Sequence, residues 1–520
     1  MTERVHFTID DRPAVAEAGS SLLAALWNAG ARAVRTSVTG EARGPLCGMG
    51  TCFECRVTLD GRPHVRSCLT PVREGMKVKL RDTHVSGSLP LGAPQAGESV
   101  EPLEAEIVVV GGGPAGLAAA VHAAESGKRT LLVDSYPRPG GQIWRHRADP
   151  PAAARDWIAR FARAHVTTLV GETVVDATVK GLLLDHQGSP RRVRFDRLVL
   201  ATGARERFLP FPGWTLPGVV LGVGGAQAML KAGARFSGRR VVVAGSGPLL
   251  LAVAAALAGD GARIVGLAEQ APLRRLAAFG AGLWRSPRKL AEAVAYSTHL
   301  LGVPYRTGAW VSELAEKAGV LRATLTDGRR IWLWDCEVLA CGYGLVPNLE
   351  LPRLLGCETA PDRVVLGPKQ ETSVAGVFAA GELGGIAGVD HALLTGAIAG
   401  LAAAGETIPA ALADRRDTEL AFGARLARAF EVREELRTLA RPETLVCRCE
   451  DVAHSQLQAF SSSREAKLAT RAGMGPCQGR VCAPALGFVH GWSEGTIRPP
   501  LFPTPLTLLA EGNDEGRDRT

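Results

Sequence analysis

The sequence predicts a multidomain chain of α/β and α+β class. Two nested Rossmann-like dinucleotide-binding domains are flanked by an N-terminal β-grasp domain and a small helical C-terminal domain. Three observations predict this. Residues 107–142 read strand, glycine turn, Ala-rich helix, strand, with Gly111, Gly113 and Gly116 at G-x-G-x-x-G spacing and Asp134 closing the second strand. Residues 239–269 repeat that order, with Gly245, Gly247 and Glu269 in the matching places. Cysteines gather in two sets of four, one ahead of the nucleotide units and one behind them.

A chain of 520 residues exceeds a single hydrophobic core, so three or more domains are expected. Hydrophobic residues make up 46% and charged residues 22%, a normal globular balance. The net charge is +8, but Lys and Arg are scattered and aromatics reach only 5%, so a solvated basic surface is expected, not a nucleic-acid groove. The opening MTERVHFTID shows no secretory signal. No apolar run reaches the roughly 18 residues of a membrane span. Eleven cysteines without such a signal point to metal or redox chemistry in the cytoplasm, not to a disulfide framework.

Residues 1–84 read as a domain of their own. VHFTIDDRPAVAEA gives two short strands turning at Asp10 and Asp11; SSLLAALWNAG gives a helix capped by Ser20 or Ser21 and stopped by Gly30. Cys47, Cys52, Cys55 and Cys68 then stand as C-x4-C-x2-C-x12-C. Three thiolates on one loop and a fourth beyond a hairpin can surround one 2Fe–2S cluster, and Gly48 and Gly50 let the loop turn N–H groups toward sulfur. Zinc and free thiols are the alternatives; zinc usually brings two C-x2-C knuckles, and there is one here.

Residues 85–104, rich in Pro, Gly and Ser, read as a linker. The first nucleotide unit begins at 105–234. Gly111 makes the tight turn, Gly113 lets the backbone approach a pyrophosphate, and Gly116 lets helix and strand pack. Pro114 and Ala115 lie within the same turn, where the helix N-terminus faces the phosphates with free N–H groups. Asp134, 23 residues after Gly111, can accept hydrogen bonds from a ribose. A second glycine turn, Gly140 and Gly141 followed by Gln142, is placed to lie over the cofactor. Residues 166–195 alternate as a β-meander, and a strand at 198–200 runs into Thr202 and Gly203.

The second unit, 235–335, is read as an insert in the first. Its third glycine position holds Leu250, which should push the helix off the strand. Glu269 still sits where a ribose acceptor would, so a working NAD(P) site and a retained fold without nucleotide both stand. Cys336 and Cys341 have C-x4-C spacing, but CEVLAC reads as a strand, which places them roughly 17 Å apart, too far to bridge. With Cys357 they are most simply core thiols. Residues 336–404 return to the first unit: a strand at 377–380, then Gly381 and Glu382, then a helix opened by His391.

Residues 405–440 read as a charged helical linker. In 441–492, Cys447 and Cys449 are joined through helix-compatible sequence to Cys477 and Cys482. Two thiol pairs on two loops form a four-thiolate cage, with Gly473, Gly475 and Gly479 letting the second loop wrap tightly. A 2Fe–2S cluster and zinc both suit such a cage. The tail, 493–520, is Pro-rich and then charged, and is expected to be disordered from Arg498.

These segments resemble known families. CGMGTCFEC…C resembles the plant-type ferredoxin fold, in the short-spaced version of small 2Fe–2S subunits of amine-oxidising complexes. The order of the nucleotide units resembles the two-dinucleotide-domain flavoprotein disulfide-reductase superfamily, whose FAD domain is interrupted by an NAD(P) domain. That resemblance implies FAD on the first glycine turn. It implies that Glu382, where relatives usually have Asp, accepts from the flavin ribityl chain. His391 falls near the flavin pyrimidine, either modulating the flavin or serving as a cap or packing residue. CRCED…GMGPCQGRVC resembles the bacterioferritin-associated-ferredoxin-like 2Fe–2S domain.

Together with ATGARERFLPFPGW and AAGELGGIAG, these motifs resemble a fusion of two subunits of the hydrogen cyanide synthase, opine dehydrogenase and D-hydroxyproline dehydrogenase group, with the sarcosine oxidase α chain a distant relative. The resemblance implies an FAD-dependent alpha-type subunit with two 2Fe–2S clusters in a hetero-oligomer. A partner flavin subunit of amine or amino-acid oxidase type would oxidise the substrate, and this chain would carry electrons to an acceptor. A flavin passes electrons in pairs or singly, whereas each cluster passes one. The alternative is a self-sufficient NAD(P)H-dependent reductase passing electrons through its clusters.

Overall fold

The structure is a computed structural model and describes residues 3–81, 102–317, 320–493 and 495–511. Its described residues fall into two compact units. One draws on segments within 1–85, 206–345 and 425–495, the other on segments within 86–205, 346–424 and 496–520.

In the first unit the N-terminal strands Arg4–Ile9 and Arg12–Glu17 pair antiparallel through the turn at Asp10 and Asp11, both with positive φ. Arg4–Ile9 also runs parallel to Lys77–Lys79, which borders the hairpin of Arg56–Leu59 and Arg62–Arg66. The helix Leu22–Asn28 is capped by the Ser21 hydroxyl, which accepts from the Ala24 N–H at 3.2 Å. Its Trp27 reaches out of this domain: Nε1 donates to the Arg235 carbonyl at 3.0 Å and the ring sits 5.3 Å from Phe236. Leu23, Trp27, Cys55 and Cys68 share one core with Val241, Val243, Leu250 and Leu257. The cysteine domain is therefore packed onto the second nucleotide sheet and buries apolar surface there, the main favourable term in holding such an interface.

That sheet is parallel, in the order Val220–Leu221, Val338–Tyr343, Arg240–Ser246, Arg263–Glu269, Tyr305–Thr307. It takes strands from residues 220–221 and 338–343 as well as from the expected 235–335. CEVLAC is not one strand. Cys336 ends the antiparallel strand Ile331–Cys336, and Cys341 lies in Val338–Tyr343, in a different sheet. Cys336, Cys341 and Cys357 are free and buried, and burial pushes the first two thiols up to about 12, as inert core residues require.

The second unit holds a seven-stranded mixed sheet. Thr167–Val170, Thr130–Asp134, Leu103–Val110, Ser189–Leu200 and Val377–Ala379 run parallel; Gly181–His186 and Thr173–Thr178 are antiparallel. Two expectations change here. Residues 167–170 are a parallel strand and not part of the meander. The strand expected at 198–200 is the end of one strand, Ser189–Leu200, whose first half serves the meander and whose second half is buried between parallel neighbours. Helices Pro114–Glu125 and Val389–Ala404 cross so closely that a Cβ at residue 396 or 400 would overlap the Ala115 or Ala119 carbonyl oxygen.

Most of the expected linker lies outside the described residues, and its end overlaps the strand that starts at Leu103. The tail departs from expectation. Leu501 is buried in the core of the second unit, its N–H donates to the Val175 carbonyl at 2.7 Å, and Leu506–Glu511 is helical. Apolar residues spaced through a Pro-rich stretch can dock one at a time without any periodicity; residues 512–520 lie outside the described ones.

Candidate cofactor and metal centres

The first glycine turn joins the strand Leu103–Val110 to the helix Pro114–Glu125. A Cβ at residue 116 would overlap the Gly111 carbonyl oxygen, so only glycine lets helix and turn meet. Pro114 takes the first helical position, where its missing N–H forfeits no bond, and Ala115 is buried. At Gly113 an added Cβ would meet nothing nearer than Gly141 Cα at 3.9 Å. Asp134 is buried against the turn. Its Oδ2 accepts from the Gly112 N–H at 2.6 Å and its Oδ1 from the Tyr136 N–H at 2.9 Å. Burial pushes this carboxyl up to about 6 despite those bonds. The Gly140 N–H donates to the Gly112 carbonyl at 2.7 Å, which brings Gly141 and Gln142 to the same turn.

Thr202 and Gly203 are pinned by Asn348. Its Nδ2 donates to the Thr202 carbonyl at 2.8 Å, and its backbone N–H donates to the Gly203 carbonyl at 3.0 Å. Gly381 and Glu382 lie in the single turn Gly381–Gly384. The Gly381 N–H donates to Thr395 Oγ1 at 2.9 Å. Glu382 Oε1 accepts from the Gly388 N–H at 3.3 Å, but Oε2 is buried without a partner, and burial pushes the carboxyl up to about 7. His391 is 1% exposed, neither ring nitrogen is paired, and burial pulls it down to about 4, so the ring is neutral. It does not cap its helix, whose N-cap is Gly388 with no side-chain bond. Buried polar atoms are seldom left unpaired. A lone carboxylate oxygen and an unpaired imidazole fit a polar ligand whose hydroxyl or amide groups complete them.

The second glycine turn is arranged differently. Glu269 is fully buried and folds onto it, Oε2 accepting from the Gly247 N–H and Oε1 from the Ala271 N–H, both at 2.8 Å. Burial pushes its carboxyl up to about 7. The Gly245 carbonyl accepts from the Gln270 N–H at 2.9 Å. Leu250, 1% exposed, packs into the core on the helix Leu249–Gly259. The carboxyl ends of these strands, where open α/β sheets take ligands, carry residues 430–433. Ser246 Oγ donates to the Phe430 carbonyl at 2.9 Å, and Gln270 Nε2 donates to the Glu431 carbonyl at 3.1 Å. The Arg433 N–H donates to Gln270 Oε1 at 3.1 Å, and Arg433 Nη1 donates to the Gly308 carbonyl at 3.3 Å. Phe430 meets the Phe279 ring edge-on at 5.5 Å.

All eight thiols of the two cysteine quartets are free and buried. Among the described residues no three His, Cys, Asp or Glu side chains surround one point as ligands of a single metal ion. The thiols come in pairs. Cys47 Sγ is 3.0 Å from Cys52 Sγ, and Cys55 pairs with Cys68. Cys447 pairs with Cys482, and Cys449 with Cys477. Two thiolates on each of two irons is the ligand pattern of a 2Fe–2S cluster. The Met49 and Cys52 N–H groups point at Cys47 Sγ from 3.3 and 3.4 Å, as the glycine-containing loop implied. Burial alone would raise Cys47, but hydrogen bonds from Cys52, Thr51 and these N–H groups bring it to about 5. At the second quartet the hydrogen bond from Cys482 outweighs burial and brings Cys447 to about 7.

The charged residues inside the cysteine motifs escaped the sequence reading. Glu54 lies between Cys52 and Cys55, Arg448 between Cys447 and Cys449, and both are buried. Gly112, Asn348 and residues 430–433 were also missed. A charge placed inside a metal-binding loop was the one available signal; the others have none.

Residues 105–396 match the family model described as pyridine nucleotide-disulphide oxidoreductase, and residues 2–83 match a 2Fe-2S iron-sulfur cluster binding domain. The chain belongs to this family of FAD-dependent oxidoreductases and carries a 2Fe–2S domain at its N-terminal end. It is 32% identical to hydrogen cyanide synthase subunit HcnB of Pseudomonas aeruginosa over 453 residues, 77% of this chain and 97% of that one. It is 35% identical to an opine oxidase subunit of Rhizobium meliloti (strain 1021) over 465 residues, 78% of this chain and 98% of that one. Among solved structures, L-proline dehydrogenase from P. horikoshii superposes with a TM-score of 0.70 at 17% identity, covering 98% of each chain, so the fold is shared end to end. No helix among the described residues is long and apolar enough to cross a membrane.

Proposed function

We propose that this chain is the electron-transfer subunit of an amine or amino-acid dehydrogenase complex, of opine, hydroxyproline or glycine type. A partner flavoprotein oxidises the substrate, and this chain relays the electrons to an acceptor through FAD and two 2Fe–2S clusters. FAD would be held by Gly111, Gly113, Pro114, Ala115, Gly116, Asp134, Gly141, Gln142, Thr202, Gly203, Gly381, Glu382 and His391. One cluster would be held by Cys47, Cys52, Cys55 and Cys68, and the other by Cys447, Cys449, Cys477 and Cys482. The names of the relatives support the complex: one belongs to a multi-subunit synthase, the other to a multi-subunit oxidase.

One observation favours this reading over a self-sufficient NAD(P)H-dependent reductase. Residues 430–433 lie across the strand ends where a nicotinamide nucleotide would sit, hydrogen-bonded to Ser246, Gln270 and Gly308. Glu269 itself is held by the Gly247 and Ala271 N–H groups, as Asp134 is held by the Gly112 N–H at the first turn. The test is reconstitution. The chain is expressed alone and together with an amine-oxidase-like flavoprotein, and dye reduction is assayed with glycine, proline derivatives and opines. Activity is expected only with the partner present; full activity from this chain alone would refute the assignment.

A further inference from the structure

The two cysteine cages lie in the same compact unit and are joined by buried charge. Glu54, whose side chain is 1% exposed, accepts from Arg35 Nη2 at 2.7 Å through Oε1 and from Arg448 Nη2 at 3.3 Å through Oε2. Arg35 Nη2 also donates to the Arg448 carbonyl at 3.1 Å. The Arg448 guanidinium lies 5.0 Å from the centre of the Trp214 ring and donates through Nη1 to the Trp214 carbonyl at 2.6 Å. A second buried pair, Arg43 and Asp451 at 2.7 Å, fastens the same two segments. Glu54 stands between Cys52 and Cys55 in the chain, and Arg448 between Cys447 and Cys449, so each end of the pair is set in one cysteine loop.

Two arginines and one glutamate leave an excess positive charge in a dry interior. Such a group is expensive to bury, and well-packed apolar side chains would often serve stability as well or better. The excess is balanced if anionic thiolate cages stand on both sides. We propose that Glu54 and Arg448 form a bridge between the two cages: it locks them at one separation and ties the reduction potential of each to the charge on the other. Both are positioning residues. With clusters in both cages, passage between them would move one electron, with no proton transferred and no bond made or broken. An electron added to either would bring negative charge, which Arg35 and Arg448 would stabilise on whichever side it resided.

The inference rests on the reading that both quartets hold clusters, and that reading is checked separately by iron and sulfide content and by two EPR signals in the intact chain. The inference itself is tested by EPR-monitored redox titration of wild type, Arg448→Met, Arg448→Lys and Glu54→Gln. Arg448→Met should lower the reduced-to-oxidised ratio of both signals about tenfold at fixed potential, about 59 mV for a one-electron couple. Glu54→Gln should move both the opposite way, and Arg448→Lys should return both to within about threefold of wild type. Fully reduced wild type should show mutual broadening of the two signals. If Arg448→Met loses a cluster, Glu54→Gln and the wild-type spectrum decide. A shift confined to one signal, or two wild-type signals that do not sense each other, overturns the bridge. A single wild-type signal instead overturns the two-cluster reading beneath it.

Discussion

At the first glycine turn the helix sits on the turn carbonyl with no room for a side chain at 116, a Cβ at Gly113 would touch only Gly141 Cα, and polar atoms of Glu382 and His391 are left unpaired. At the second the spacing begins the same way and Glu269, like Asp134, is buried against the turn, yet Leu250 stands at the third position and residues 430–433 take the hydrogen bonds at the strand ends. The two turns thus share a backbone solution and differ in what remains for a ligand. A glycine pattern encodes the turn; unsatisfied polar groups around it are what a ligand could complete.

The comparison can be broken most sharply at the third position. Gly116→Val should destabilise the chain by more than about 4 kcal/mol and strip its flavin, because the side chain overlaps the Gly111 carbonyl. Leu250→Ala should cost about 2–5 kcal/mol through a core cavity and leave flavin content unchanged. Thermal melts with flavin absorbance read both; a flavin-replete Gly116→Val protein would remove the first turn from the site. Next, Gly113→Val should fold with a melting point near wild type but bind little flavin, since its Cβ meets only Gly141 Cα, at an ordinary contact distance of 3.9 Å. Unchanged flavin content would place the cofactor elsewhere.

The second turn makes a kinetic prediction. On anaerobic stopped-flow mixing, NADH should bleach the flavin far more slowly than the roughly 10 per second of an average enzyme. Bleaching at that rate would mean residues 430–433 do not block the cleft. The smallest effect concerns Glu269. Burial raises its carboxyl from 4.5 to about 7, so its contribution to stability is fully present below about 4.5 and is lost as pH rises through about 7. The stability of wild type relative to Glu269→Gln should fall across that window by up to about 1.4 kcal/mol per pH unit. Denaturant melts at several pH values measure it, and a flat difference would mean that Glu269 ionises as freely as an exposed glutamate.

Much of the site was legible because its chemistry is local. The G-x-G-x-x-G turn, the acidic residue closing each second strand and the C-x4-C-x2-C loop each act over a few residues, and each forms locally: a helix follows the turn, Asp134 and Glu269 lie against their turns, and Cys47 meets Cys52. Asp134 and Glu269 illustrate the limit. Their positions were readable, but their hydrogen bonds to the Gly112 and Gly247 N–H groups were not. The tail was misread because its apolar residues, among them Leu501, Phe502, Leu506, Leu508 and Leu509, are interrupted by prolines, and the two that are buried, Leu501 and Leu508, follow no helical or strand period.

By itself the sequence determined the two nucleotide-type turns, the two thiol quartets and the FAD and 2Fe–2S class of chemistry. Glycine at a crowded turn and cysteine at a ligand spacing are demanded by geometry within one loop. Tertiary structure alone decided which of these loops meet. Glu54 and Arg448 stand 394 residues apart in sequence and share a hydrogen bond in the interior, and the Phe430 carbonyl lies 184 residues from the Ser246 hydroxyl it engages. Read locally, a charged residue in a loop looks solvated, because its hydration outweighs burial unless a partner is supplied from elsewhere. Here the fold supplies that partner, and so decides that Glu54 and Arg448 are buried together and that residues 430–433 hydrogen-bond at the ends of the second parallel sheet.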